Sequence, residues 1–156
     1  MAAYFFYRNK IEKMDELSRQ LEKINNRINE SGIIEKEFLL YETVNPHFYE
    51  TAKSQFIEKH KRLAGEIESS ITLLSKSERI NKTHILEGLD RILQLQITHK
   101  QLFDSLVEYI KLRGWKDYGL VGKMRSYIHA VEKSDFPYSQ AKMLMIRRHE
   151  KDFLLR

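Results

Sequence analysis

The chain has 156 residues, of which 42% are hydrophobic and 31% are charged, and its formal net charge is +5. A chain of this length usually folds as one domain with a sizeable core. It has 6 glycines and 2 prolines, too few for many turns, so we predict long helices. It has no cysteine, which excludes disulfides and thiolate chemistry. Basic residues alternate with acidic ones instead of forming a stripe, which argues against a nucleic-acid partner.

The amino-terminal segment joins an aromatic run to a basic one. Residues 2–7 read AAYFFY, and the basic residues Arg8 and Lys10 follow. The apolar run is too short to cross a bilayer, which takes about 20 residues. Aromatic residues leading into charged ones are nevertheless typical of a helix leaving the membrane interface, although the positive-inside rule favours a cytoplasmic side for these charges. The alternative is a helix end packed on the core. We predict residues 1–10 to be the end of a transmembrane helix or a juxtamembrane segment, and 11–156 to be one helical-bundle domain.

The first two long helices are predicted from apolar residues at steps of three and four, the spacing of a helix packed in a bundle. The first is broken by Asn45-Pro46, because the residue before a proline avoids the helical region. The second starts at Pro46, which suits a first helical turn, and ends near Ser75. The predicted inward residues are Ile11, Met14, Leu17, Leu21, Ile24 and Ile28, then Ile33 or Ile34, Phe38 and Tyr41 in the first helix, and Ala52, Phe56, His60, Leu63, Ile67, Ile71 and Leu74 in the second.

A third long helix begins near Asn81 or Thr83, both suitable N-caps, and ends at Arg113-Gly114, a basic last turn followed by a glycine. Its predicted inward residues are Ile85, Leu89, Ile92, Gln96, His99, Phe103, Leu106 and Ile110. Two shorter helices follow, from about Leu120 to Lys133 and from about Pro137 to the end. No run of alternating β-branched residues between turns predicts a strand. The sequence therefore predicts an all-α fold, an antiparallel four-helix bundle whose fourth rod is split.

The histidines give little support for catalysis. They are His47, His60, His84, His99, His129 and His149. None has another histidine four residues away, and none follows a glutamate by three, as helical zinc pairs and di-iron bundles require. Glycine patterns of nucleophile elbows and phosphate loops are also missing. We predict no enzyme activity, no catalytic residue, no metal ligand and no cofactor.

Gln96 and His99 are polar residues on the predicted inward face of the third helix. One interpretation makes them contacts in a ligand cavity between helices. The other makes them paired polar core residues that fix the register of the bundle. The spacing leaves both open.

The stretch 112–132 reads LRGWKDYGLVGKMRSYIHAVE. Its glycines allow a turn followed by a close approach. Arg125, His129 and Glu132 then follow at steps of four and three and share one helix face. Arg147 and Arg148 lie in the last helix. Guanidinium groups match a carboxylate in a two-pronged geometry, so Arg125, Arg147 and Arg148 are candidate anion contacts, with His129 as a polar neighbour. The alternative is a set of internal salt bridges, with Glu132 or Asp152 as partners.

A phrase in the last helix repeats an earlier one. Residues 150–155 read EKDFLL, and residues 35–40 read EKEFLL. Such a repeat suggests a duplicated helical unit. The second copy has no cap, glycine or proline to end its helix, so we expect the chain to be part of a longer protein. The apolar face of this helix lacks partners in the predicted fold, and we therefore expect a homodimer.

The spacing of certain residues in the last two helices resembles the pattern of a known protein family. These residues are Gly119, Leu120, Gly122, Arg125, His129 and Glu132, followed by Arg147, Arg148 and the run 150–156. The pattern is similar to the extracytoplasmic sensor region of bacterial methyl-accepting chemotaxis receptors and sensor histidine kinases. It is most similar to the helical bimodular type, in which two stacked four-helix bundles lie between two transmembrane helices. Members of that family continue well past the second phrase, so the resemblance implies a truncated or half portion of such a sensor.

The resemblance also implies a function. It implies a periplasmic domain, anchored in the cell membrane through its parent protein, that takes part in chemotaxis or a two-component system. Its partner would be a small solute, often an organic acid, or a periplasmic binding protein. A ligand shifts such a bundle only by binding one helix arrangement better than another. One rival is a cytoplasmic helical adaptor, a coiled-coil domain that binds a partner helix. The other, a metal or cofactor bundle, is disfavoured by the histidine spacing.

Overall fold

The computed structural model describes residues 1–77, 83–134 and 139–154, and every regular element in these ranges is helical. This confirms the all-α prediction. The chain divides into two compact units, Met1–Leu112 and Arg113–Arg156, called here the first and the second unit. The first unit contains α1 (Ala2–Tyr41), a 3₁₀ turn (Glu42–Val44), α2 (Pro46–Thr51), α3 (Gln55–Ser75) and α4 (Thr83–Arg113), of which only the last residue belongs to the second unit. The second unit contains α5 (Gly119–Glu132) and α6 (Gln140–Leu154).

Helix α1 is continuous over 40 residues, which corresponds to about 60 Å at the usual rise per residue. Its principal partner in the first unit, α3, has 21 residues and can cover only part of it. Ile11 and Met14, which were predicted to face inward, are accordingly 59% and 56% exposed, whereas Ile24 is 4% exposed. Within the described residues, no helix is both long enough and apolar enough to pass through a membrane.

The predicted second helix is in fact two helices, so the prediction of one continuous helix from Pro46 is wrong. Helix α2 ends at Thr51, and the next residue, Ala52, has a left-handed backbone (φ +57°) and donates its N–H to the carbonyl of Phe48 at 2.8 Å. The Ser54 hydroxyl then accepts from the N–H of Phe56 at 3.1 Å and caps the start of α3. The break leaves Ala52 exposed instead of in the core.

The core of the first unit is built around three phenylalanines from different helices. The Phe38 ring meets the rings of Phe48 and Phe103 edge-on, at centroid distances of 5.4 and 5.5 Å. Phe38 and Phe48 are fully buried and Phe103 is 4% exposed. The predicted inward residues that the structure confirms as buried are Ile24, Ile34, Phe38, Phe56, His60, Leu63, Ile67, Ile71, Leu89, Gln96 and Phe103.

Towards the end of α4 the prediction of the buried face is wrong. Leu106 was predicted to face inward but is 38% exposed, and Val107 is buried in its place at 6%. A strict seven-residue pattern drifts by about 20° per repeat against a straight helix. After Leu89, Gln96 and Phe103, which lie seven residues apart, that drift brings Val107 onto the buried side.

Glycines are required in the turn between α4 and α5. Gly114 has φ +76° and Gly119 has φ +60°, a region in which side chains are disfavoured. A Cβ atom on Gly114 would lie 2.0 Å from the carbonyl oxygen of Tyr118, and one on Gly122 would lie 2.1 Å from the carbonyl carbon of Asp117. The glycines therefore allow α5 to lie close to the backbone of the turn that precedes it.

Candidate functional site

Three polar side chains, one from each long helix of the first unit, meet beside the phenylalanine core. Nε2 of His60, on α3, lies 2.8 Å from Oε1 of Glu35 on α1. Nε2 of His99, on α4, lies 3.4 Å from the other carboxylate oxygen, Oε2. The three ligand-type atoms lie within 4.8 Å of one another. We call Glu35, His60 and His99 the Glu-His-His cluster.

The fold fixes the inner members of this cluster and leaves the outer one accessible. The side chain of His60 is 1% exposed and that of Glu35 is 19% exposed, whereas that of His99 is 49% exposed. The His60 ring packs against the Phe103 ring at a centroid distance of 4.1 Å. Glu35 lies one helical turn before the buried Phe38. His60 is thus held from both sides, while His99 faces solvent on one side.

The sequence did not predict this cluster, because the histidine spacings that mark a metal pair apply within one helix, whereas these three residues lie on three different helices. The signal that was available is the position of His60 and His99 on the inward faces of two different helices. A buried imidazole needs a polar partner, so two histidines on predicted inward faces predict an acceptor nearby. Glu35 belongs to the EKEFLL phrase, whose recurrence predicts a duplicated helical unit but no ligand.

A groove of about 470 Å³ opens beside His99, and its lining residues are Ile28, Ile92, Leu95, Gln96, Thr98, His99 and Leu102. Most of these side chains are apolar. Gln96 is 5% exposed, and its amide nitrogen Nε2 has no hydrogen-bond partner. Leaving a buried polar group unpaired costs about 1–3 kcal/mol. The groove lining includes both Gln96 and His99, and the cavity interpretation and the register interpretation of these residues both stay predictions.

In the second unit, the predicted anion contacts take part in a network of ion pairs between α5 and α6. Arg147 donates two hydrogen bonds to the carboxylate of Glu132, at 2.6 and 2.8 Å, and a third to Glu150 at 3.2 Å. His129 Nδ1 lies 3.0 Å from Glu132. Arg125 Nε lies 3.3 Å from Glu150. The carboxylates that these arginines bind here therefore belong to the chain itself.

The same contacts shift the titration of the network. The hydrogen bonds from the Arg147 guanidinium hold the pKa of Glu132 below its ordinary value of 4.5, and they raise the pKa of Arg147 in turn. Arg148, the remaining predicted contact, is exposed on α6, as is Asp152, the alternative salt-bridge partner. The structure thus brings Arg125, His129 and Arg147 together and places Arg148 on the solvent side of α6.

The two copies of the repeated phrase use their first glutamate in the same way. Glu35 lies between two imidazoles of the first unit. Glu150, which is 7% exposed, lies between Arg125 and Arg147 of the second unit. In both copies an inward-facing carboxylate is matched by basic groups, and the difference is whether these are imidazoles or guanidiniums.

Comparison of the chain with protein-family models, curated proteins and solved structures finds no match.

Proposed function

We propose that this chain is the ligand-sensing helical domain of a transmembrane signal-transduction receptor, either a chemotaxis receptor or a two-component sensor kinase. In this proposal the domain lies outside the cytoplasmic membrane and the parent protein anchors it. The observation that supports it most is the groove beside α4, with the unpartnered Gln96 amide at its wall. Apolar walls with a few placed polar groups are the usual construction of a small-molecule site.

The groove is a better place for an organic acid than the arginines of the second unit. Arg147 already binds two carboxylates, Glu132 and Glu150, so an added acid would have to displace one of them. The buried amide nitrogen of Gln96 has no hydrogen-bond partner and would meet a solute once its side chain turns, and His99 is half exposed on the same groove. We propose a small solute with an apolar body and a carboxylate or carbonyl acceptor.

Signalling would follow from the position of the groove. Its wall includes Ile28 of α1 as well as residues of α4. A solute that fits one spacing of these two helices better than another favours that spacing. The expected output is a small sliding or rotation of packed helices.

Isothermal titration with a panel of mono- and dicarboxylates tests the proposal. The Gln96→Leu variant removes the donor at nearly constant volume and should weaken binding roughly 10-fold or more, as the loss of a partner to a charged group does. Gln94→Leu, an exposed change on the same helix, is the control and should bind like the wild type. Binding that survives Gln96→Leu but falls in Arg147→Ala would move the site to the second unit. If no acid binds, the proposal of a small-molecule sensor is wrong, and a periplasmic binding protein becomes the partner to test.

A second function, that of a helical adaptor in the cytoplasm, is favoured by an apolar stripe on α4. Leu95, Leu102, Leu106 and Tyr109 follow at steps of seven, four and three and are 61%, 63%, 38% and 69% exposed. This spacing is typical of a helix face that packs against another helix. In the sensor proposal, a helix from a second copy seated there would complete the predicted four-helix bundle, and it would form the outer wall of the groove, which Leu95 and Leu102 also line. Two membrane-spanning segments flanking this region in the full-length gene would support the sensor; their absence would support the adaptor.

A further inference from the structure

The Glu-His-His cluster has the composition and spacing of a metal-ligand set. A tetrahedral zinc ion binds imidazole nitrogen at about 2.0–2.1 Å and carboxylate oxygen at about 2.0–2.2 Å, which places its ligand atoms roughly 3.3 Å apart. Here His60 Nε2 lies 2.8 Å from Oε1 of Glu35 and His99 Nε2 lies 3.4 Å from Oε2. One ligand-type atom of each residue lies within 4.8 Å of the other two, so the separations have to close by about 1.5 Å at most to reach the spacing around one ion.

A hydrogen-bonded cluster explains only part of this arrangement. Glu35 and His60 are joined by a 2.8 Å hydrogen bond, which satisfies the buried imidazole. The 3.4 Å distance from His99 to the same carboxylate is longer than an ordinary hydrogen bond. It is close to the spacing of two ligands around one ion. His99 therefore lies where a third ligand belongs.

The rigidity of the cluster also suits a metal. Each ligand comes from a different long helix, and His60 is immobilised against Phe103 at 4.1 Å. Such support keeps a site in place before the ion binds. The half-exposed His99 offers the way in from solvent. Imidazole ligands select transition metals over magnesium and calcium, which prefer all-oxygen sites.

We propose that Glu35, His60 and His99 bind one divalent transition-metal ion, with zinc as the best match. Three protein ligands leave one coordination position for water or for an oxygen atom of a bound molecule. Because His99 lines the groove, this position is placed to open towards it. The metal proposal does not depend on the sensor assignment, since it is tested with the ion alone.

The test is a zinc titration of the full chain without a histidine tag, in competition with a chromophoric chelator. The wild type should bind one ion per chain with a Kd below about 10 µM. His99→Ala is the main variant, because its half-exposed side chain is removed without opening the core. Losing even an outer partner of a ligand costs about 10–100-fold in affinity, so losing a ligand should cost at least about 100-fold. Glu35→Gln should show a comparable loss, with its circular dichroism spectrum confirming that it is folded.

The control is His84→Ala, which removes another exposed histidine of α4 and should leave the zinc affinity unchanged. Cobalt provides a second readout, because a four-coordinate site gives visible absorption that His99→Ala should abolish. The proposal is overturned if the wild type binds no zinc in this range. It is also overturned if folded His99→Ala binds as tightly as the wild type, or if His84→Ala loses as much affinity as His99→Ala.

Discussion

Truncating one leucine on α3 and one on α4 measures which helix faces form the core of the first unit. Leu63 is 7% exposed and Leu106 is 38% exposed. Leu63→Ala removes three buried carbons, worth about 2.4 kcal/mol of transfer free energy at roughly 0.8 kcal/mol each. The cavity left behind raises the expected loss to about 3–4 kcal/mol. Leu106 is covered on one side only, so Leu106→Ala leaves no enclosed cavity and should cost about 1–1.5 kcal/mol.

The assay is urea unfolding followed by far-ultraviolet circular dichroism, at one low chain concentration so that self-association does not contribute. A similar slope against urea in all three proteins makes their free energies of unfolding comparable. Equal losses in the two variants, or a larger loss for Leu106→Ala, would mean that the assignment of buried faces on α3 and α4 is wrong.

Three further predictions concern a cap, a titration and an interface. Ser54→Ala removes the acceptor that caps α3 and should lower the free energy of unfolding by about 1 kcal/mol, measured by the same urea assay; no change would show that the cap is dispensable. Because the pKa of Glu132 is lowered in the folded chain, its charge stabilises the second unit above its ordinary pKa, and this stabilisation is lost as the pH falls through the folded value. Trp115 is the single tryptophan of the chain, and its fluorescence should report the acid transition of the wild type. In Glu132→Gln the part of the transition that comes from the Glu132 carboxylate should be missing; the same pH profile in both proteins would contradict this prediction. The apolar stripe on α4 should mediate dimerisation, so light scattering should report a dimer that Leu102→Asp converts to a monomer, and a monomeric wild type at high concentration would refute the interface.

The presence of long helices was predictable, because apolar residues at steps of three and four are enough to indicate a helix. The break between α2 and α3 was not predictable. Ala52 adopts a positive φ, which non-glycine residues rarely do, and neither glycine nor proline marks the position. Ser54 is a suitable cap by type, but serine also occurs within helices. The end of α4 shows a different limit, since the heptad pattern assigned Leu106 to the core without allowing for the drift that buries Val107 instead.

The residues that meet in the candidate site were harder to predict than the inward-facing sides of the helices that carry them. The apolar pattern placed His60 and His99 on inward faces. It did not predict how the helices are aligned lengthwise, and so it did not predict which residues of neighbouring helices lie opposite each other. Glu35 and His60 are 25 residues apart in sequence, and their contact depends on how α1 and α3 are aligned lengthwise. In the second unit, the sequence predicts Glu132 or Asp152 as the salt-bridge partner of the arginines, and the structure pairs Arg147 with Glu132.

The length of α1 has a mechanical consequence. Glu35 lies near one end of this helix and Ala2 at the other, so about 50 Å of continuous rod separates the cluster from the amino-terminal end. If a change at the cluster tilts that rod by about 5°, its far end moves sideways by roughly 4 Å over this length. A tilt of that size at the cluster would therefore reach the amino-terminal end as a displacement as large as a side chain.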